Sequence, residues 1–284
     1  MIKIDASQLQ AFITCPKLYS NQYINKLVKV REDESEMDRN FGSCIHDGLA
    51  ILYKGGSMEE AKKCMQAMTA IEGEKIKTPV NGELLLEQYW NYWNKPMNDL
   101  SNNKFEVLEV EKVMEFPINE EITWLVKLDT IIKHQAGIFS LEKKTTGDIP
   151  YNYFFQFDPN MQLSGQCYAI QQKYGQCSGV IVDVLGCGNR QKKYLDRPAG
   201  FWSDFKREIV NRNKEQLEDF KQDVVRWVYR LRQAIDGNIF PRNTKACHQY
   251  RGCTYRQLCI GVDDENIREV LFKTINNPLE YLNG

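Results

Sequence analysis

The 284-residue chain sets 37 Lys plus Arg against 38 Asp plus Glu. Its formal net charge of −1 excludes whole-protein attraction to a polyanion, so any such binding requires a local basic stripe. Apolar residues make up 42% and charged residues 26%, the balance of a soluble globular protein with a substantial core. No apolar run approaches the roughly 20 residues of a membrane span. The opening MIKIDASQLQAF lacks the basic-then-apolar plan of a signal peptide. A cytoplasmic location is therefore expected, where the nine cysteines stay reduced and are buried, metal-bound or catalytic.

Residues 1–103 read as a helical lobe. Ser7 with Gln10 fits a capping box ahead of the apolar face Leu9, Phe12 and Ile13. Pro16 interrupts or restarts that helix just after Cys15. REDESEMD (31–38) reads as an exposed acidic connection. Phe41, Ile45, Leu49 and Leu52 then recur at helical spacing, KGGS (54–57) closes the helix, and two more are expected near 58–70 and 81–94. From 104 the period changes to two, giving strands over 104–116, 121–133 and 137–145. A helix over 159–174 and a buried strand over 179–186 follow. A long helix is expected over 201–235, with Phe205, Ile209, Leu217, Phe220, Val224, Val228 and Leu231 apolar, before a cysteine-bearing tail. This order implies an α/β fold with a mixed sheet in one domain, divided as 1–103, 104–200 and 201–284.

The strands 121–133 and 137–145 form a hairpin if HQAG (134–137) is its loop. Lys133 then faces Ile138, and the same register sets Asp129 opposite Glu142 and Lys127 opposite Lys144. Glu142 and Lys144 share a face because strand side chains alternate. Two opposed carboxylates repel unless a positive group lies between them, and a hard divalent cation such as Mg²⁺ or Mn²⁺ prefers such oxygen ligands. Lys144 could then orient water or stabilise charge on a phosphate. A mixed-charge surface ladder is the competing reading. His46, one of three histidines, lies in FGSCIHDGLA with Gly42 and Ala50 four residues to either side, so its ring has room to reach toward a metal.

Cys15 lies far upstream of Cys247, Cys253 and Cys259, which are spaced C-x5-C-x5-C. Four thiolates can bind Zn²⁺ tetrahedrally or carry a [4Fe–4S] cluster, and either would clasp the N-terminal helix to the C-terminal tail. Basic residues gather in RQKKYLDR (190–197) and at Lys206, Arg207, Arg212, Lys214, Arg226, Arg230 and Arg232. Tyr151, Tyr153, Phe154 and Phe155 follow the Lys144 strand. Basic grooves with aromatic platforms suit single-stranded DNA. Glu109 and Glu111 are spare carboxylates near the strands.

Taken in order, CPKLY (15–19), GSCIHDGLA, VKLDTI, SLEKKTTG (140–147), MQLSGQCYA (161–169) and the closing cysteines resemble the RecB-like branch of the PD-(D/E)XK nucleases. The resemblance is to its iron–sulfur exonucleases, which include CRISPR-associated and helicase-linked members. It implies a restriction-endonuclease-like sheet core flanked by helices, with an N-terminal helical lobe and a C-terminal cysteine-cluster segment. It also implies a Mg²⁺- or Mn²⁺-dependent DNA exonuclease with His46, Asp129 and Glu142 as metal ligands, Lys144 catalytic and Gln162 at the active site. Cys15, Cys247, Cys253 and Cys259 would hold the iron–sulfur cluster, with zinc the alternative. The partners implied are DNA, single-stranded or with free ends, and helicase, recombination or CRISPR proteins. Gln166 stands where the family's tyrosine is expected, with Tyr168 two residues on, and the first cysteine gap is wider than the family's usual C-x2-C. The rival readings are a catalytically silent nucleic-acid-binding scaffold and a zinc-stabilised structure-specific endonuclease.

Overall fold

The structure is a computed structural model that describes residues 1–30, 34–68, 76–95, 99–190, 200–261 and 265–275. In chain order its elements are β1 (Ile2–Ile4), α1 (Ala6–Thr14), α2 (Pro16–Tyr19), a π-helical turn (Ser20–Ile24), β2 (Leu27–Lys29), α3 (Glu34–Tyr53), α4 (Met58–Lys63), α5 (Pro79–Trp93), β3 (Phe105–Pro117), β4 (Ile122–His134) and β5 (Gly137–Thr146). There follow α6 (Met161–Tyr174), β6 (Gly179–Arg190), β7 (Gly200–Val210), α7 (Lys214–Asp236), α8 (Arg256–Ile260), α9 (Glu265–Leu271) and β8 (Phe272–Thr274). A six-stranded mixed sheet runs β1-β4-β5-β6-β7, with β3 also paired to β4. β1–β4 and β5–β6 are parallel, and β4–β5 and β6–β7 antiparallel. β2 and β8 form a separate two-stranded ribbon.

Two compact units share the chain. The first comprises Met1–Glu32, Val113–Val126 and Lys214–Gly284; the second comprises Asp33–Lys112 and Lys127–Asn213. In the first, α7 buries Phe220, Val224, Val228 and Leu231, spaced to line one helix face. Phe220 meets Trp124 edge-on at 5.1 Å. In the second, the stripe Phe41, Ile45, Leu49 and Leu52 of α3 is buried with Leu85, Leu86 and Tyr89 of α5 and with Ile132, Leu141 and Ile181 of the sheet.

Four local expectations are corrected. The cap of α1 is Asp5, whose carboxylate accepts from the amides of Ser7 and Gln8; a carboxylate two residues ahead of Ser7 reaches the same free donors. The acidic stretch is helical from Glu34 onward, and its residues 31–33 lie outside the described residues. Residues 201–210 form β7 instead of the first turns of a long helix, because β6 offers a full ladder from Val180–Val210 to Arg190–Gly200. The apolar positions in FWSDFKREIV fit either period, and the partner strand decides. Finally, the β4–β5 hairpin keeps the expected register but its pairing extends to His134–Gly137. Gly137 takes a φ of +124°, open to glycine, and a Cβ there would lie 1.9 Å from Ser178 Oγ.

A row of charges crosses the second unit's core. Lys143 of β5 pairs with Asp183 of β6, which pairs with Arg207 of β7. The Asp183 and Arg207 side chains are both 0% exposed and 2.8 Å apart. Arg207 also donates to Tyr53 Oη, Tyr89 Oη, Asn102 Oδ1 and the Leu100 carbonyl, and its guanidinium lies 4.0 Å from the Trp93 ring centroid. Lys143 Nζ donates to Thr130 Oγ1 at 2.7 Å and sits over the Tyr53 ring. Breaking a buried ion pair strands the remaining charge, which costs about 3–5 kcal/mol. Asp183→Ala should therefore lower unfolding free energy by about that amount in urea titrations. Loss within experimental error of zero would show that Arg207 is solvated.

Candidate active site

The sequence spreads the candidate groups over four elements, and the second unit gathers them. His46 comes from α3, Asp129 from β4, Glu142 and Lys144 from β5, and Gln162 and Gln166 from α6. The recorded β4–β5 pairs end at Thr130–Leu141, one step before Asp129 and Glu142. Beyond that point Asp129 Oδ2 accepts from the Lys143 amide at 2.9 Å. His46 Nδ1 stands 3.5 Å from the same Asp129 oxygen. Space for α3 beside β5 comes from Gly42, one turn before His46, where a Cβ would come within 3.1 Å of Thr145 Oγ1.

Glu142 is only 3% exposed, and its carboxylate is surrounded by donors. Oε1 accepts from Gln162 Nε2 at 2.7 Å and pairs with Lys144 Nζ at 2.7 Å. Oε2 accepts from Gln166 Nε2 at 2.6 Å. The Gln166 carbonyl in turn accepts from Ser140 Oγ at 3.0 Å, and Lys144 Nζ donates to Gln162 Oε1 at 3.4 Å. Gln162 and Gln166 are one helical turn apart, so both amides face one carboxylate.

Burial opposes charge on these groups, but their partners outweigh it. Burial would raise the Asp129 pKa; the imidazolium of His46, with the Lys143 charge and amide, holds it below the usual carboxylate range instead. His46 is likewise disfavoured as a cation by burial, yet Asp129 raises its pKa. Desolvation would discharge Lys144, but Glu142 raises its pKa and keeps it an ammonium. Lys143 behaves oppositely: full burial dominates, and its pKa falls.

The donors fit a hard divalent cation in kind: two carboxylates and an imidazole, with His46 Nδ1 and Asp129 Oδ2 3.5 Å apart. Among the described residues, no three His, Cys, Asp or Glu side chains are grouped closely enough to hold an ion as they stand. The carboxylates are instead held by lysine, histidine and amide donors.

Several other expected contacts resolve differently. Lys127 pairs with Glu111 at 3.0 Å. Glu109 binds Lys112, Lys173 and Tyr174, tying β3 to the end of α6. The expected basic stripe is largely neutralised: Arg207 is in the core, Arg212 binds Asp158, Arg226 neighbours Asp223, and Arg232 binds Glu121. Residues 191–197 of RQKKYLDR lie outside the described residues. In the aromatic loop, Phe154 and Phe157 are buried while Tyr151 and Phe155 are 94% and 68% exposed.

The four cysteines belong to the first unit. Cys15, at the α1–α2 junction, is buried, and its sulfur accepts from the Asn243 amide at 3.3 Å. The Cys253 amide donates to the Cys247 carbonyl at 3.1 Å. Burial raises the pKa of Cys253, and Cys247, Cys15 and Cys259 raise it further. Burial raises Cys259 too, with Cys15 and Cys247 adding to it.

A family model for the PD-(D/E)XK nuclease superfamily matches residues 4–260, which include the carboxylate site and all four cysteines. The crystal structure of "Putative exonuclease" from Eubacterium rectale is similar in fold, with a TM-score of 0.50 and 14% sequence identity, over 87% of this chain and 86% of that one. The sheet with its flanking helices is accordingly a restriction-endonuclease-like nuclease fold. No curated protein matches the sequence.

Gln166, which stands where the resembled family's tyrosine is expected, donates to Glu142 and accepts from Ser140. Gln166→Leu removes a donor to Glu142 and the acceptor of Ser140, leaving buried groups unpaired at about 1–3 kcal/mol. Cleavage rate should fall about 10-fold or more, while an unchanged rate in a single-turnover assay would assign Gln166 to packing alone.

Proposed function

The chain belongs to the PD-(D/E)XK nuclease superfamily, and from that premise we propose that it is a Mg²⁺- or Mn²⁺-dependent deoxyribonuclease digesting DNA from free, single-stranded ends. The observation that carries this reading is the enclosure of Glu142 by Lys144, Gln162 and Gln166 beside the His46–Asp129 pair. His46, Asp129 and Glu142 would hold the divalent ion, which supplies charge neutralisation for the phosphate and a lowered pKa for bound water.

The protein's own residues do the positioning. Lys144 is kept charged against desolvation, and its side chain is 30% exposed, so its ammonium can reach a phosphate oxygen or an attacking water. Gln162 bridges Lys144 and Glu142, fixing the distance between cation and carboxylate before substrate arrives. Such preorganised polar groups act in a low-dielectric site without reorganisation cost at the moment of reaction. Tyr151 and Phe155, exposed and 6.0 Å apart, offer ring faces on which unpaired bases stack, the chemistry of single-strand preference.

Glu142→Ala and Lys144→Ala should each reduce cleavage of end-labelled DNA by at least about 100-fold, with covalently closed circles resistant even to the parent protein. Undiminished cleavage in both variants would remove this site; digestion of circles would remove the requirement for ends.

We further propose that Cys15, Cys247, Cys253 and Cys259 carry a [4Fe–4S] cluster, supported by their place in one compact unit and by the Asn243 segment that bonds to Cys15 just before Cys247. Anaerobically purified protein should be brown, and Cys253→Ser should bleach it. Colourless protein with stoichiometric zinc would replace the cluster by a zinc site.

A further inference from the structure

A basic cavity in the cysteine-bearing unit has no place in the carboxylate chemistry. Its volume is about 600 Å³, and its lining includes Lys17, Arg242, Arg268, Phe240, Asn25 and Asn238, with no acidic residue among the described residues. Ligand pockets commonly span about 300–1,000 Å³ and combine an apolar wall with a few convergent polar groups. Three cations are concentrated here in a chain whose net charge is −1. Among the described residues, neither Lys17 nor Arg242 has a carboxylate partner. The contrast with Arg207, Arg212 and Arg232, all paired with carboxylates, is sharp.

The cavity is preformed by backbone. The Lys17 amide donates to the Pro241 carbonyl at 3.3 Å, and Asn243 Nδ2 donates to the Thr14 carbonyl at 2.8 Å. These bonds fasten the segment after α7 to the start of α2. Ser20 and Asn25, both lining residues, begin and cap the π-helical turn Ser20–Ile24, a conformation that is rare and frequent at functional sites. Asn238 lines the opposite segment in the left-handed region, at φ +49°.

We propose that this cavity is a second nucleic-acid contact, in which Lys17 and Arg242 bind backbone phosphates of the strand while Phe240 and the Asn25 and Asn238 amides face the adjoining nucleotide. The proposal rests on the reading of the protein as a DNA nuclease. A phosphodiester supplies the anion that two uncompensated cations require, and a nucleotide supplies the ring and polar edges for the rest of the wall. A competing role is available on chemical grounds: both cations lower the pKa of nearby Cys259 and could serve only to offset thiolate charge.

The test uses the full-length protein with Glu142→Gln to prevent cleavage, and fluorescence anisotropy of a labelled single-stranded oligonucleotide over a salt series. Adding Lys17→Ala and Arg242→Ala should weaken binding at least about tenfold and flatten the log–log salt slope by about 1.4, since each phosphate neutralised on a single strand contributes about 0.7. Lys17→Arg with Arg242→Lys should keep both affinity and slope, and the metal content of the cysteine site should be the same in every variant. Unchanged affinity and slope in the double alanine variant overturns the proposal. So does loss of binding together with loss of cysteine-bound metal, which would assign the cations to the thiolates. Displacement of the oligonucleotide by a free mononucleotide in the parent but not the alanine variant, with oligonucleotide affinity unchanged, also overturns it. Failure of the nuclease reading is seen separately, as a wild-type protein that neither binds nor cuts DNA.

Discussion

Asp183 and Arg207 sit on adjacent strands with neither side chain exposed to solvent, and Lys143 extends their row onto β5. Burying these charges is tolerable only in one arrangement, with the guanidinium shared among two tyrosines, an asparagine, a carbonyl and the carboxylate. Because side chains alternate along a strand, fixing Lys143 inward fixes Glu142 and Lys144 on the other face. A slip of one residue in β5 that carried Lys143 to the place of Lys144 would bring Glu142 to the inward position. It would put a carboxylate into the charged row and remove one from the nuclease site. The adjacent lysines in LEKKTT thus have separate duties, and the ion pair two strands away keeps them apart.

The proposed nuclease site shows the same economy at closer range. A carboxylate as buried as Glu142 would ordinarily be costly, and the protein offsets that cost with three donors fixed to a strand and a helix. Asp129 is treated differently: it is kept ionised by His46, by Lys143 and by a backbone amide. Both carboxylates are therefore oriented before any substrate is present. Two glutamines on one helix face do work that a single tyrosine would not, because each amide donates to a different oxygen of the same carboxylate.

Much of this was legible in the sequence. The β4–β5 register followed from alternation and a short loop, and the stripe Phe41, Ile45, Leu49 and Leu52 placed His46 on a buried helix. Other features were hidden for identifiable reasons. FWSDFKREIV satisfies both helical and strand periods, and only the long edge of β6 selects the strand. Gln166 stood out only as the residue in place of the resembled family's tyrosine; its partner became visible once Glu142 was seen to be buried beside it. The lysines and arginines after residue 200 looked like a basic face because composition cannot reveal which of them have carboxylate neighbours. Lys17, isolated in sequence, joins Arg242 only through folding.

The cysteine-bearing unit is assembled from three separated segments, and this has a consequence for the order of events in synthesis. Cys15 is made early, and its companions follow more than two hundred residues later. At about 5–20 residues per second, the nascent chain carries that thiol for about 10–50 s before a second, third and fourth can meet it. Under the proposed cluster, a metal held by all four sulfurs would be enclosed only when translation is nearly finished, at a thiol that has already been waiting. Maturation of this unit is thus a matter of timing and supply as much as of affinity.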